Sequence, residues 1–175
     1  MKLDLSKAYD RVEWRFLEEV MRQLGFGDTW IHWIMCCIRT VSYQFVINGE
    51  LSSSLIPERG LRQGDSISPY LFLLCTEVLS RVIARTECEG ELHGIAICKN
   101  APSVSHLFFA DDSFIFFKSE FEECLVLKDI LASYAQMSGQ SINFDKSCIS
   151  FSRNVPRLRQ DYIAELLGVV RVEKA

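Results

Sequence analysis

The stretch that decides the fold is Leu107-Phe108-Phe109-Ala110-Asp111-Asp112-Ser113-Phe114-Ile115-Phe116-Phe117. Aromatic and β-branched residues on both sides predict two short strands, and the two acids mark a tight turn between them. Adjacent carboxylates repel, at a cost of about 4 kcal/mol for a close pair near a protein surface. A divalent cation reverses that sign, because hard cations bind clustered carboxylate oxygens. Aspartate is also common in ordinary turns, so the pair alone leaves both interpretations open.

A third acid that could join this pair is Asp4, in the run Lys2-Leu3-Asp4-Leu5. Residues 3–5 are typical of the end of a strand, so Asp4 would also lie where a strand stops. Three acids on adjacent strand ends are the arrangement that two-metal phosphoryl or nucleotidyl transfer requires.

Composition limits the classes of protein to consider. A chain of 175 residues that is 49% hydrophobic forms one domain or a piece of one, with a real core. It has no apolar run of about 20 residues and no signal peptide before residues 1–4, so we expect an intracellular protein without a membrane partner. The seven cysteines include no Cys-x-x-Cys pair, which favours free thiols over zinc or disulfides. A net charge of −4 argues against a free-standing nucleic-acid binder.

End signals and hydrophobic spacing predict alternating helices and strands. Asn48-Gly49 predicts a hairpin between residues 41–47 and 51–56. Ser68 as cap and Pro69 in the first turn predict the start of a long helix. The predicted helices cover residues 14–24 before Gly25, a short second helix capped by Asp28, residues 69–82, residues 120–137 before Gly139, and residues 157–167 before Gly168.

This alternation predicts an α+β fold, related to the ferredoxin-like split βαβ pattern, with helices packed on one face of the sheet. Such a sheet leaves its other face free for a large ligand. The strand ends that carry Asp4, Asp111 and Asp112 could converge at that face.

Four segments in a fixed order resemble the palm of a reverse transcriptase, most closely the type found in non-LTR (LINE-like) retrotransposons. The runs Arg-Gln-Gly-Asp-x-x-Ser-Pro and Phe-Ala-Asp-Asp make this resemblance specific, and it covers nearly all of the chain. The segments are Asp4-Leu5-Ser6-Lys7-Ala8-Tyr9-Asp10-Arg11-Val12, Gly60-Leu61-Arg62-Gln63-Gly64-Asp65-Ser66-Ile67-Ser68-Pro69, Phe109-Ala110-Asp111-Asp112 and Ser138-Gly139-Gln140-Ser141-Ile142-Asn143-Phe144-Asp145-Lys146-Ser147.

The resemblance implies that Asp4, Asp111 and Asp112 are catalytic and hold two Mg²⁺ ions, or Mn²⁺ in their place. One ion would activate the primer 3′-hydroxyl, and the other would bind the triphosphate and offset charge on the leaving pyrophosphate. Lys146 matches the lysine of the family's fourth motif, a general acid for pyrophosphate. A solvated lysine at a strand end is the alternative interpretation of Lys146.

The resemblance also implies substrate contacts. Tyr9 would be the aromatic gate under the incoming sugar, with an ordinary core aromatic as the alternative. Gln63 and Gly64 would lie near the nascent base pair, because glycine lets backbone approach a substrate and an amide both donates and accepts. Arg62 would contact template or triphosphate. Asp10 is interpreted as a helix cap rather than a metal ligand.

The partners implied are an RNA template, a DNA primer and deoxynucleoside triphosphates, and the family implies a nuclear site. Fingers, thumb and endonuclease find no counterpart in the sequence. We therefore expect residues 1–175 to be a single partial reverse transcriptase domain, truncated at both ends, with the missing parts in a larger parent polypeptide. Weak or no activity is expected of the chain alone. The alternatives are a catalytically inactive retroelement remnant and a binding module that retained the palm fold.

Overall fold

The computed structural model describes residues 1–109 and 112–172. Within these residues the chain forms five helices and seven strands. The helices are α1 (Trp14–Gln23), α2 (Asp28–Arg39), α3 (Ser68–Cys88), α4 (Phe121–Ser138) and α5 (Arg157–Leu167). The strands are β1 (Lys2–Leu3), β2 (Val46–Ile47), β3 (Glu50–Leu51), β4 (His106–Phe109), β5 (Asp112–Ile115), β6 (Cys148–Ile149) and β7 (Val170–Arg171).

Five strands form one sheet, in the order β4-β5-β1-β6-β7. Neighbours are antiparallel except β6 and β7, which run parallel. Strands β2 and β3 form a separate two-stranded sheet. The prediction of a mixed α and β fold is confirmed.

One face of the sheet is covered by helices and the other is open. Leu3 on β1 and Ile115 on β5 are both 0% exposed, and they share one core cluster with residues of α1, α3 and α4. Side chains alternate across a strand. Asp112 and Phe114 therefore lie on the opposite, exposed face of β5.

Helix ends follow the predicted glycines, while three predicted caps are wrong. Gly139, at φ +75°, ends α4, because its left-handed backbone suits glycine. Ser68 is a buried residue of the first turn of α3, and the carboxylate of Asp65 instead accepts from the Ile67 N–H at 3.2 Å. Asp28 is itself the first residue of α2, and it follows Gly27. Asp10 is not a cap, because α1 begins only after Glu13.

The seven cysteines are unpaired thiols: Cys75 and Cys124 are buried, Cys148 is half-buried, and Cys36, Cys37, Cys88 and Cys98 are exposed. Across residues 1–109 and 112–172, none of the helices combines the length and the apolar character needed to cross a membrane.

Candidate functional site

Strand register brings Asp4 and Asp112 to the same edge of the sheet. β1 pairs antiparallel with β5, with Lys2 opposite Phe114 and Leu3 opposite Ser113. One further step of that register would place Asp4 opposite Asp112, and the side chain of Lys2 lies within the influence of both carboxylates. Both acids are accessible, since Asp4 is half-buried and Asp112 exposed. Asp111, the third predicted metal ligand, lies outside the described residues.

Lys2 places a cation against this edge. Its Nζ lies 2.8 Å from Oδ1 of Asp112 and 5.9 Å from the ring centre of Phe114. The hydrogen bond and the charge of Asp112 raise the pKa of Lys2, and the charge of Asp4 acts in the same direction. The carboxylates of Asp112 and Asp4 thus both favour the charged form of the Lys2 side chain.

The fourth segment holds the backbone of Asp4 from the other side of β1. The Asp4 N–H donates to Oγ of Ser147 at 3.0 Å, and the Asp4 carbonyl accepts from the Asn143 N–H at 2.9 Å. Lys146 lies in the turn between these two partners, where its own N–H donates to the Asn143 carbonyl at 3.2 Å, and its side chain is exposed. The segment of Lys146 is thereby brought beside the first predicted ligand.

The second segment is bonded to the first through backbone groups. The Leu61 N–H donates to the Tyr9 carbonyl and the Gly60 N–H to the Val12 carbonyl, both at 2.8 Å. At Gly60, φ is +89° and a Cβ would lie 2.7 Å from the Asp10 carbonyl oxygen. Only glycine permits this approach, so the close packing of the two segments depends on Gly60.

The ring of Tyr9 is half-buried and packs against the core. It stacks on Phe72 of α3, with ring centres 4.8 Å apart and planes at 18°. Stacking of this kind fixes the ring direction. Tyr9 therefore makes the core contact that the alternative interpretation of this residue predicts.

The loop that precedes α3 is open to solvent. Arg62, Gln63 and Gly64 are exposed, and Gly64 has φ +86° with open space where a Cβ would stand. A cavity of about 470 Å³ is lined by Arg62 and Asp65 of this loop, by Asp10, and by residues of α2 and the segment before β2. That volume is within the range of small-ligand sites.

Two residues of this region were missed by sequence reasoning. Lys2 could have been found, because it is two residues from Asp4 and strand alternation places both on one face. Ser147 carried no such signal, since its contact with Asp4 spans 143 residues. In the part of the chain that the structure describes, no three acids, histidines or cysteines are grouped as a metal site.

Comparison with known proteins identifies the family to which the sequence is similar. The family model described as "Reverse transcriptase (RNA-dependent DNA polymerase)" matches residues 1–170. An uncharacterized mitochondrial protein of Arabidopsis thaliana is 54% identical over 69 residues, which are 39% of this chain and 57% of that protein. A retrovirus-related Pol polyprotein from a type-1 retrotransposable element R2 of Popillia japonica is 28% identical over 168 residues.

That second alignment covers 93% of this chain and 26% of the beetle protein. The R2DM element of Drosophila melanogaster encodes a further Pol polyprotein, 28% identical over 82% of this chain and 13% of its own length. The chain thus spans less than two thirds of the length of these relatives.

Proposed function

We propose that this chain, which belongs to the reverse transcriptase (RNA-dependent DNA polymerase) family, forms the palm of an RNA-directed DNA polymerase. Its reaction would be two-metal nucleotidyl transfer, with Asp4, Asp111 and Asp112 as the metal ligands. The observation that supports this proposal is the β1–β5 register, which runs toward Asp4 and Asp112, together with the ammonium of Lys2, which binds Asp112 and also responds to the charge of Asp4.

The residues at this edge suit a hard divalent cation. Carboxylate oxygens are the ligands that Mg²⁺ and Mn²⁺ prefer, and these carboxylates are open to solvent. Lys2 would have to leave Asp112 when metal binds, which an exposed ion pair does at little cost. When bound, two such ions neutralise charge on the attacking and leaving oxygens of an in-line displacement.

The other predicted residues would bind and orient the substrate. The Arg62 guanidinium would pair with a phosphate, Gln63 would contact the nascent base pair, and Gly64 would let the backbone approach it. Tyr9, held by its stacking on Phe72, would close the space under the sugar. Lys146 would donate a proton to pyrophosphate, a role supported by the contact of its turn with Asp4.

The open face of the sheet is the proposed binding surface for the template–primer duplex. Leu107 and Phe109 of β4 are 57% and 83% exposed there, so this face is available to a large ligand. Relatives named as retrotransposon Pol polyproteins are several times longer than this chain. We therefore propose that fingers and thumb of a longer polypeptide complete the duplex contacts in the working polymerase.

The test is Mn²⁺ binding to the purified chain, followed by the paramagnetic signal of the free ion. Asp4→Asn and Asp112→Asn should each weaken binding by at least about ten-fold, since each removes a charged ligand. Asp129→Asn, at an exposed position of α4, is the matched control and should bind like the wild type. Equal affinity in all four proteins would refute the metal site, and absence of binding in the wild type would favour the inactive remnant.

Primer extension on an RNA template tests the reaction itself. We expect extension by the chain to be weak, to require Mg²⁺ or Mn²⁺, and to disappear in Asp112→Asn. Extension that persists in Asp112→Asn would contradict the proposed role of this carboxylate.

A further inference from the structure

Strand β4 leads directly to the acid pair, yet burial does little to hold it. It lies at the edge of the sheet, where it pairs with β5. None of its four residues is fully buried: Leu107 and Phe109 are exposed, and His106 and Phe108, on the helix side, are half-buried. The backbone ladder to β5 and the packing of Phe108 against the core hold this strand, and the side chain of His106 adds a polar contact with α3.

His106 provides polar contacts to β4 on both sides of its ring. Its Nε2 lies 2.7 Å from Oγ of Ser80, in the middle of α3, and its Nδ1 lies 3.1 Å from Oγ of Ser105. The ring also contacts Phe108, with centres 4.8 Å apart. Ser80 and His106 are 26 residues apart, so their hydrogen bond joins helix α3 to the first residue of β4.

Glu87, two turns after Ser80 on α3, adds a negative charge near these contacts. Partial burial acts to raise the pKa of Glu87, but hydrogen bonds from Ser103 and Ser105 outweigh it and lower that pKa. Burial lowers the pKa of His106 and favours the neutral ring, in which one nitrogen donates a hydrogen bond and the other accepts one. A neutral ring can therefore bind the hydroxyls of Ser80 and Ser105 at the same time.

We propose that the chain Ser80–His106–Ser105 is a latch that holds β4 on helix α3, with His106 as a positioning residue for the acid pair. The inference rests on the proposed function for its consequence, the geometry of the metal site. Helix α3 begins directly after the loop of Arg62, Gln63 and Gly64. The latch therefore connects the helix that follows the proposed substrate loop to the strand that precedes the proposed metal ligands.

Two variants of Ser80 separate the latch from general packing. Ser80→Ala removes the hydroxyl, and Ser80→Thr retains it. Thr86→Val is the matched control, because the Thr86 hydroxyl is buried on the same helix and bonds the Val82 carbonyl within it. Amide hydrogen exchange is measured across residues 106–109 and, for reference, across α4, together with Mn²⁺ affinity.

We expect Ser80→Ala to speed exchange at residues 106–109 by about five-fold, the effect of losing one hydrogen bond, with α4 unchanged. Mn²⁺ affinity should fall by a similar factor, while Ser80→Thr and Thr86→Val stay close to the wild type. His106→Phe keeps a ring against Phe108 without the nitrogens. It should speed exchange at least as much as Ser80→Ala, because it also removes the contact with Ser105. The double variant should show no loss beyond that of His106→Phe.

Unchanged exchange at residues 106–109 in Ser80→Ala and His106→Phe would overturn the latch. Faster exchange with unchanged Mn²⁺ affinity would overturn the positioning role, because β4 would then be loosened without effect on the acids. A wild-type chain that binds no Mn²⁺ would refute the proposed function and the positioning role together. The exchange data would still decide whether Ser80 anchors β4.

Discussion

The two hairpins of this chain differ in what holds them. The hairpin of β2 and β3 has a strong local turn signal, since Asn48 and Gly49 both adopt positive φ, at 53° and 89°. Its apolar residues nevertheless face solvent: Val46, Ile47 and Leu51 are all more than 60% exposed. The hairpin of β4 and β5 is part of the five-stranded sheet, and its residue Ile115, on the helix-covered face, is fully buried.

This comparison shows that a turn signal is local, whereas burial depends on contacts between distant parts of the chain. A type I′ turn at Asn-Gly depends on the backbone preferences of two adjacent residues. Membership of the main sheet requires partners far away in sequence, because Met1 and Lys2 lie against residues 114 and 115. Four predictions test whether stability and cation binding follow burial rather than turn signal.

The largest difference is expected between alanine substitutions of one isoleucine in each hairpin. Ile115→Ala should lower the free energy of unfolding by about 4 kcal/mol, because it leaves a cavity in the core. Ile47→Ala, at a side chain 62% exposed, should cost less than about 0.5 kcal/mol. Urea unfolding measures both, and similar losses would show that the two hairpins are equally integrated.

The second-largest effect is expected at Glu123 of α4, which hydrogen-bonds the segment that follows β5. Its buried carboxylate accepts from the N–H groups of Lys118 and His93 and contacts the His93 ring at 2.7 Å. Glu123→Ala leaves those donors unpaired and should cost about 3 kcal/mol in urea unfolding. Glu122→Ala, the exposed neighbour in the same helical turn, is the control and should change little. Equal costs would mean that these hydrogen bonds do not stabilise the fold.

A smaller effect is expected at the turn of the exposed hairpin. Gly49→Ala forces a Cβ into a left-handed backbone, although the space around it is open. The strain should cost about 1 kcal/mol and speed amide exchange mainly across residues 46–51. Gly27→Ala, with ordinary φ of −68° and open space, serves as the control. A loss spread over the main sheet would contradict the local character of this hairpin.

The smallest effect concerns the charge of Lys2, which pairs with Asp112 of the β4–β5 hairpin. Lys2→Met removes the ammonium that binds Asp112 and would compete with a metal ion there, so Mn²⁺ affinity should rise by about three-fold. Lys99→Met, an exposed lysine in the segment between residues 95 and 104, should leave the affinity unchanged. A fall in affinity in Lys2→Met would mean that Lys2 supports the acids rather than competing for them.

Local elements of the fold were predictable because their signals are local. Helix α5 has the predicted bounds of residues 157–167, and α4 ends at the predicted glycine. The caps were wrong because a cap depends on where the first turn starts. Long-range contacts set that start. The indole N–H of Trp14, the first residue of α1, donates to the Gly60 carbonyl at 2.8 Å, across 46 residues of sequence.

The amino-acid sequence by itself determined the family and the order of the motifs, because these are properties of residues and their spacing. Only the tertiary structure decided that β1 pairs with β5, that Lys2 binds Asp112 and that Ser80 contacts His106. The physical reason is that strand register and helix docking depend on burial of one sheet face. That burial is shared among residues more than a hundred positions apart, and no short window of sequence contains it.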